Sequence, residues 1–171
     1  LKGKKILITA GPTYEPLDPV RFIGNHSTGK MGFDIADAAS NLGADVLLVS
    51  GPSHLVPKNN NVQLISVFSA KEMYDACHSV FLNIDAVVAA AAVADYRPKV
   101  VATQKIKKND ETFTIELEKN PDILASFGKI KKNQFLIGFA LETQNEIEHA
   151  KAKITKKNLD LIVLNSLNDE G

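Results

Sequence analysis

The chain is 171 residues long, with 20 lysines and arginines against 20 aspartates and glutamates and a formal net charge of zero. A hydrophobic content of 44% suits one globular domain with a single substantial core and argues against disorder. The charge balance leaves no footprint for nucleic acid or an anionic membrane, no apolar run approaches the roughly 18 residues of a membrane span, and a lone cysteine, Cys77, excludes an internal disulfide and a cysteine-rich metal site.

Lys5–Ala10 (KILITA) is β-branched and nearly all apolar, the pattern of a strand buried in a parallel sheet. A long loop bearing Gly, Pro and Asn follows, from Gly11 to about Gly29. Residues 31–42 place Phe33, Ile35, Ala36, Ala39 and Leu42 at helical spacing, with Gly43 as C-cap. Asp45–Ser50 is a second strand and residues 62–67 a third. Ala70–Val80 is predicted helical, with Ser69 as N-cap and Met73, Ala76, Cys77 and Val80 on one face.

Residues 85–93 (DAVVAAAAV) predict a central strand whose alanine end leaves room for another group. Residues 112–118 (TFTIELE) alternate, as a half-exposed strand does. Asn120-Pro121-Asp122 opens a short helix with proline in its first turn. A strand over 135–139, a helix over 145–156 and a last strand over 159–164 complete the order. Strands alternating with helices predict an α/β fold, a doubly wound, mostly parallel, Rossmann-like sheet with helices on both faces. Ligands in such sheets sit beyond the carboxyl ends of the strands, which selects the segments after Ala10, after Val93 and after Phe139.

Residues 24–31 (GNHSTGKM) nearly match the phosphate-binding pattern G-x-x-x-x-G-K-[ST]. Met31 stands where a hydroxyl should hold Mg²⁺, and the motif begins far downstream of the first strand, so a P-loop is rejected. A G-x-G-x-x-G dinucleotide turn is absent as well. What survives is an anion site at a helix start, with Gly29 and Gly32 allowing close backbone approach and Lys30 adding charge. The plain alternative is an ordinary helix capped by Ser27 or Thr28.

His26 reads as a loop histidine, and His54, His78 and His149 are scattered without metal-ligand spacing. Cys77 sits on the apolar face of a helix and reads as core. Asp95, in AAAVADYRP, puts a carboxylate at the ligand edge of the sheet. Lys105-Ile106-Lys107-Lys108 crowds three ammonium groups, which suits phosphate binding, with a solvated loop as the alternative. The second KIKK, at 129–132, ends a helix where lysines meet the carboxyl end of the dipole, and is assigned no function. On the last helix only Lys153 and Lys157, four apart, necessarily share a face.

AGPTYEPLDPVRFIGNHSTGKMG resembles the opening signature of the phosphopantothenate–cysteine ligase (phosphopantothenoylcysteine synthetase) family. AAVADYRP, KIKK, NPDIL, GFALET and the A-x-K-x-x-x-K-x-L-D-L-I-V-x-N ending follow in that family's order, so the resemblance covers almost the whole chain. It implies CTP-dependent ligation of 4′-phosphopantothenate to L-cysteine in coenzyme A biosynthesis, through an acyl-cytidylate. Asn25 matches the asparagine that handles this intermediate, and Lys105 the lysine that helps to form it. Asp95, Pro121, Asp122, Ile123, Leu124, Phe139, Lys153 and Lys157 match nucleotide-contacting positions, with Phe139 expected against the base. Ser27, Thr28, Gly29, Lys30, Lys107 and Lys108 remain candidates for phosphate or substrate. Gly24 and Leu141 depart from the family's frequent serine and alanine.

The resemblance further implies Mg²⁺ with ligands that the sequence leaves unknown, no flavin in this chain, a homodimer, a cytoplasmic location, and a mobile flap or hairpin near 100–118 close to the partner subunit. The start without methionine and the end at NDEG fit a single ligase domain over residues 1–171, cut from a longer bifunctional chain that carries a flavin-dependent decarboxylase domain.

Overall fold

Every second side chain of the first strand, β1 (Lys5–Ala10), points to the same side of a sheet, and beyond Lys5 both sides are buried. β1 therefore sits at the centre. The computed structural model, which describes residues 1–107, 112–142 and 146–166, pairs it with β4 (Asp45–Ser50) on one side and β6 (Ala86–Ala89) on the other. β5 (Gln63–Ser66) extends the sheet beyond β4, while β9 (Phe135–Glu142) and β10 (Leu161–Ser166) extend it beyond β6. All five pairings are parallel, in the order β10-β9-β6-β1-β4-β5. The chain builds outward from β1 to β5, then crosses over and builds the other way, so strand order reverses between β1 and β6. The crevice beyond their carboxyl ends is the topological switch point of the doubly wound fold.

Ile6, Ile8 and Ala10 face Phe33, Ala36 and Ala39 of α1 (Lys30–Asn41). Leu7, Val87 and Leu136 face the other way, against Met73 and Cys77 of α2 (Ala70–Val80) and Ile123 and Phe127 of α3 (Ile123–Ile130). The fully buried rings of Phe81 and Phe127 stack at 4.1 Å between centroids, joining α3 to the short 3₁₀ turn after α2. Burying a side chain of this kind contributes roughly 1.5–3 kcal/mol, and cutting Phe127 to alanine would cost about 3–5 kcal/mol. α4 (Glu146–Lys157) packs beside α3 and against β9 and β10.

The helix ends follow local chemistry. Gly43, at φ 87°, closes α1 as predicted, its N–H reaching Ser40 while Ala44 reaches back to Ala39. Ser69 caps α2 by accepting from the Glu72 N–H, and Asp122 caps α3 by accepting from the Ala125 N–H. At the start of α1 the prediction is corrected. Neither Ser27 nor Thr28 caps that helix; Gly29 does, in the left-handed region at φ 82°, while the two hydroxyls accept the N–H groups of Gly29 and Lys30. Leu42, expected on the apolar face of this helix, is exposed.

Other boundaries also move. The loop over 11–29 contains a hairpin, β2 (Tyr14–Pro16) with β3 (Phe22–Gly24), pinned by Tyr14 stacked on Phe22 at 3.8 Å. β6 stops at Ala89 and not at 93, because the N–H groups beyond it turn to new acceptors: Ala91 to the Thr9 hydroxyl, Ala92 to the Gly11 carbonyl and Ala94 to the Thr13 hydroxyl. The strand expected over 112–118 is reduced to β8 (Leu117–Lys119), paired antiparallel with β7 (Tyr96–Pro98). That pair is the base of the hairpin expected near 100–118, and Lys108 lies outside the described residues. β9 continues past 139 to Glu142. β10 begins only at Leu161, because Leu159 is drawn into the core and the Asp160 carboxylate accepts the Leu136 N–H at 2.7 Å.

A candidate nucleotide cleft at the switch point

The small residues after β6 give this site its shape. Ala91, Val93 and Ala94 form a thin wall, with a cavity of about 200 Å³ beyond it. A second stretch of the lining is the Pro121–Leu124 turn into α3, joined by Phe139 of β9 and Lys157 of α4. Asp95 and Asn120, with Thr9 of β1 and Val87 of β6, also line it.

The wall is held by side chains from four separate segments, since it has left the sheet ladder. Thr9 and Thr13 accept the N–H groups of Ala91 and Ala94 at 3.2 and 2.9 Å. The Asn25 amide donates to the carbonyls of Ala92 and Val93 at 3.3 and 3.1 Å. Asn120 donates through Nδ2 to the Ala94 carbonyl at 2.9 Å, and through its backbone to Asp95 at 2.8 Å. Backbone polar groups must find partners, and here they find them without filling the cavity.

Charge is distributed unevenly around this cleft. Lys157 pairs with Asp122 at 2.8 Å. Burial raises the Asp122 carboxyl, but Lys157 and the Ala125 N–H outweigh it and leave it below the ordinary range. Asp95 is exposed, ready to accept from hydroxyl or amine groups. Phe139 is half-buried against the core and offers one apolar surface to the cavity.

Of the residues singled out from sequence, the structure brings Asp95, Pro121, Asp122, Ile123, Leu124, Phe139 and Lys157 together around one cleft. Asn25 does not line it but donates to the carbonyls of Ala92 and Val93 in its wall. Lys153 is half-buried one turn before Lys157 and does not line the cleft. Lys105 and Lys107 are exposed and also do not line it. Their segment is anchored elsewhere, the Ile106 N–H donating to the buried Asp18 carboxylate at 3.1 Å and the Arg21 guanidinium to the Ile106 carbonyl at 3.2 Å. Ser27 and Thr28 border a different depression, with Tyr14, His54 and Leu55. Lys30 forms an ion pair with Asp34. The close approach allowed by Gly29 and Gly32 is taken up by the chain's own backbone at and just after the end of β1, since a Cβ on Gly32 would meet Ala10 at 2.5 Å and one on Gly29 would meet Gly11 at 3.0 Å.

Cys77 is fully buried, and burial pushes its thiol up to about 12, so it stays protonated and inert. His78 is tied to Ser126 at 2.7 Å and stacked on Tyr74, and burial lowers its pKa. Sequence reasoning missed Thr9, Thr13 and Asn120. The one available signal was the Asn-Pro pair at 120–121, read only as a helix opener. Among the described residues, no group of three His, Cys, Asp or Glu gathers to hold a metal, and no helix is long and apolar enough to cross a membrane.

A family model described as the DNA/pantothenate metabolism flavoprotein C-terminal domain matches residues 1–171. The coenzyme A biosynthesis bifunctional protein CoaBC of Vibrio cholerae is 53% identical over 174 residues, covering 100% of this chain and 43% of the relative. The crystal structure of the C-terminal domain of a CoaBC protein superposes with a TM-score of 0.86 at 50% identity, over 96% of this chain and 78% of that one. A Cab2 variant in complex with phosphopantothenate-cysteine shares the fold at a TM-score of 0.83 and 19% identity, over 96% of this chain and 73% of that one. The chain spans less than half the length of the curated relatives it matches.

Proposed function

Because the chain belongs to the family of DNA/pantothenate metabolism flavoprotein C-terminal domains, we propose that it is a phosphopantothenate–cysteine ligase domain of coenzyme A biosynthesis. CTP is its nucleotide, and an acyl-cytidylate its intermediate. The phosphopantothenate carboxylate attacks the α-phosphorus of CTP; one P–O bond forms, the α–β P–O bond breaks, and pyrophosphate leaves. The amine of L-cysteine then attacks the acyl carbon, loses a proton and expels CMP, leaving an amide. Both names carried by the relatives, CoaBC and the phosphopantothenate-cysteine complex of Cab2, support this reading.

The observation that carries it is the convergence of Asp95, the Pro121–Leu124 turn, Phe139 and Lys157 around one cleft at the switch point. In this reading Phe139 lies against the pyrimidine, Asp95 accepts from the ribose or base, and Lys157 faces phosphate oxygens, with Lys153 adding positive charge from one turn back on α4, outside the cleft lining. Asn25 keeps its amide nitrogen on the wall and turns its side-chain oxygen toward the intermediate, which is how it affects conversion to product. Lys105 supplies positive charge as anionic oxygens gather at the α-phosphorus, the point where preorganised charge matters most. Lys107, Lys108, Ser27, Thr28, Gly29 and Lys30 are secondary candidates for phosphate or substrate, with Lys30 first having to leave Asp34.

Mg²⁺ would enter with the triphosphate, where phosphate oxygens are its natural ligands, and no described residues are assigned to hold it. Bound there, it would neutralise the leaving pyrophosphate. In the whole protein a flavin-dependent decarboxylase domain precedes this one, the ligase domain is a homodimer, and the enzyme works in the cytoplasm without a flavin of its own here. The test is turnover: the chain is incubated with CTP, 4′-phosphopantothenate and L-cysteine, and CMP, pyrophosphate and the amide are measured. Equimolar formation of all three supports the assignment, and amide formation that is absent or independent of CTP overturns it.

A further inference from the structure

Arg97 lines no part of the cleft, yet its guanidinium bridges two side chains. Nε donates to Oε1 of Glu118 at 2.9 Å and NH2 lies 2.8 Å from that same oxygen, across the β7–β8 pair, which orients the group. NH1 then donates to Oδ1 of Asn120 at 3.1 Å. Arginine has only donors, so Asn120 must present its oxygen to Arg97 and its nitrogen to the Ala94 carbonyl. Turning that amide over would place an NH₂ against a guanidinium and an oxygen against a carbonyl, two repulsive contacts at once.

The Asn120 side chain is therefore the bolt between the two walls, the Ala94–Asp95 edge and the turn at Pro121. We propose that Arg97 is a positioning residue of this cleft, acting on the Ala94–Asp95 wall through the Asn120 amide. The inference rests on reading the cleft as a nucleotide site. It also explains why two charged residues occupy this place in a short hairpin: Glu118 orients Arg97, and Arg97 orients Asn120. Lysine in place of Arg97 offers a point charge without the fork, so it satisfies Glu118 or Asn120 and not both in plane.

The experiment uses the full chain, with Arg97→Met, Arg97→Lys, Asn120→Ala and the double variant Arg97→Met with Asn120→Ala. Calorimetric titration with CTP is expected to show about tenfold weaker binding for each Arg97 variant, the size of one lost charge-assisted hydrogen bond. The double variant is expected to bind no more weakly than Asn120→Ala alone, and solvent exchange of the Asn120 side-chain NH₂, followed by NMR, to accelerate in Arg97→Met. CTP affinity unchanged in Arg97→Met, or losses that add in the double variant, overturns the proposal. A parent chain that binds no CTP overturns the reading of the cleft, and the link itself is then decided by the exchange measurement: unchanged Asn120 exchange in Arg97→Met overturns it, and faster exchange upholds it.

Discussion

The side-chain nitrogen of Asn25 lies 3.1 Å from the Val93 carbonyl oxygen, so a residue of the first loop holds the chain where it leaves the fourth strand of the sheet in chain order, 68 positions later. That bond joins the two segments flanking the switch point. Aspartate has no N–H to give, and a carboxylate facing the carbonyls of Ala92 and Val93 is repelled by both. Asn25→Asp is expected to accumulate the acyl-cytidylate with little amide product. Rapid quench with mass spectrometry checks this, and normal product yield without accumulation would contradict it.

Lys105 sits outside the cleft on a segment fastened to Asp18 and Arg21 through the Ile106 backbone. Lys105→Gln keeps the length and removes the charge, so it should block the first step. Pyrophosphate release from CTP and phosphopantothenate is expected to fall by about a hundredfold or more, in the range of losing one charge stabiliser of a transition state. Release at the parental rate would remove Lys105 from the mechanism.

The centre of the sheet and the core faces of α1 and α2 were legible in the sequence, because apolar periodicity is a direct record of burial. Phe33, Ala36, Met73 and Cys77 all fall where their spacing put them. The boundaries that moved are those decided by partners far away in sequence. β6 ends at Ala89 because Thr9 and Thr13 capture the next N–H groups, and no local pattern in AVVAAAAV carries that information. The site divides in the same way. Individual motif residues around the cleft were readable from resemblance, whereas Arg97 and Asn120, which have no pattern of their own, emerge only when the hairpin folds back on the wall.

Gly128 of α3 lies directly against the end of α4, so that a Cβ there would overlap the Lys157 carbonyl oxygen. The Asn158 side chain tightens the contact by donating to the Gly128 carbonyl at 2.9 Å. Gly128→Ala is expected to lower stability by about 1–3 kcal/mol, as overpacking does, and to push Lys157 away from Asp122. Denaturant unfolding together with CTP titration checks both effects; a variant with parental stability and parental affinity would contradict the packing described.

The Arg21 guanidinium beside the buried Asp18 holds its carboxyl well below the usual carboxylate range, against the opposing effect of burial and with help from the N–H groups of Val20, Ile106 and Arg21. A depressed folded-state pKa means that the ionised form stabilises the fold. The contribution is complete above the unfolded value near 4 and is lost as pH falls from there toward the folded value. Asp18→Asn should therefore melt below the parent at pH 7, with the gap narrowing steadily under about pH 4. Thermal unfolding of both chains across that range checks it, and a gap that stays constant down to pH 3 would contradict it.

The most direct measurement is calorimetric titration of the parent chain with CTP, ATP and NADPH, in parallel with Phe139→Ala. A cleft that takes a pyrimidine nucleotide binds CTP in preference to the other two and loses most of that affinity without the Phe139 ring. Binding of NADPH in place of CTP, or CTP affinity untouched by the loss of Phe139, would contradict it.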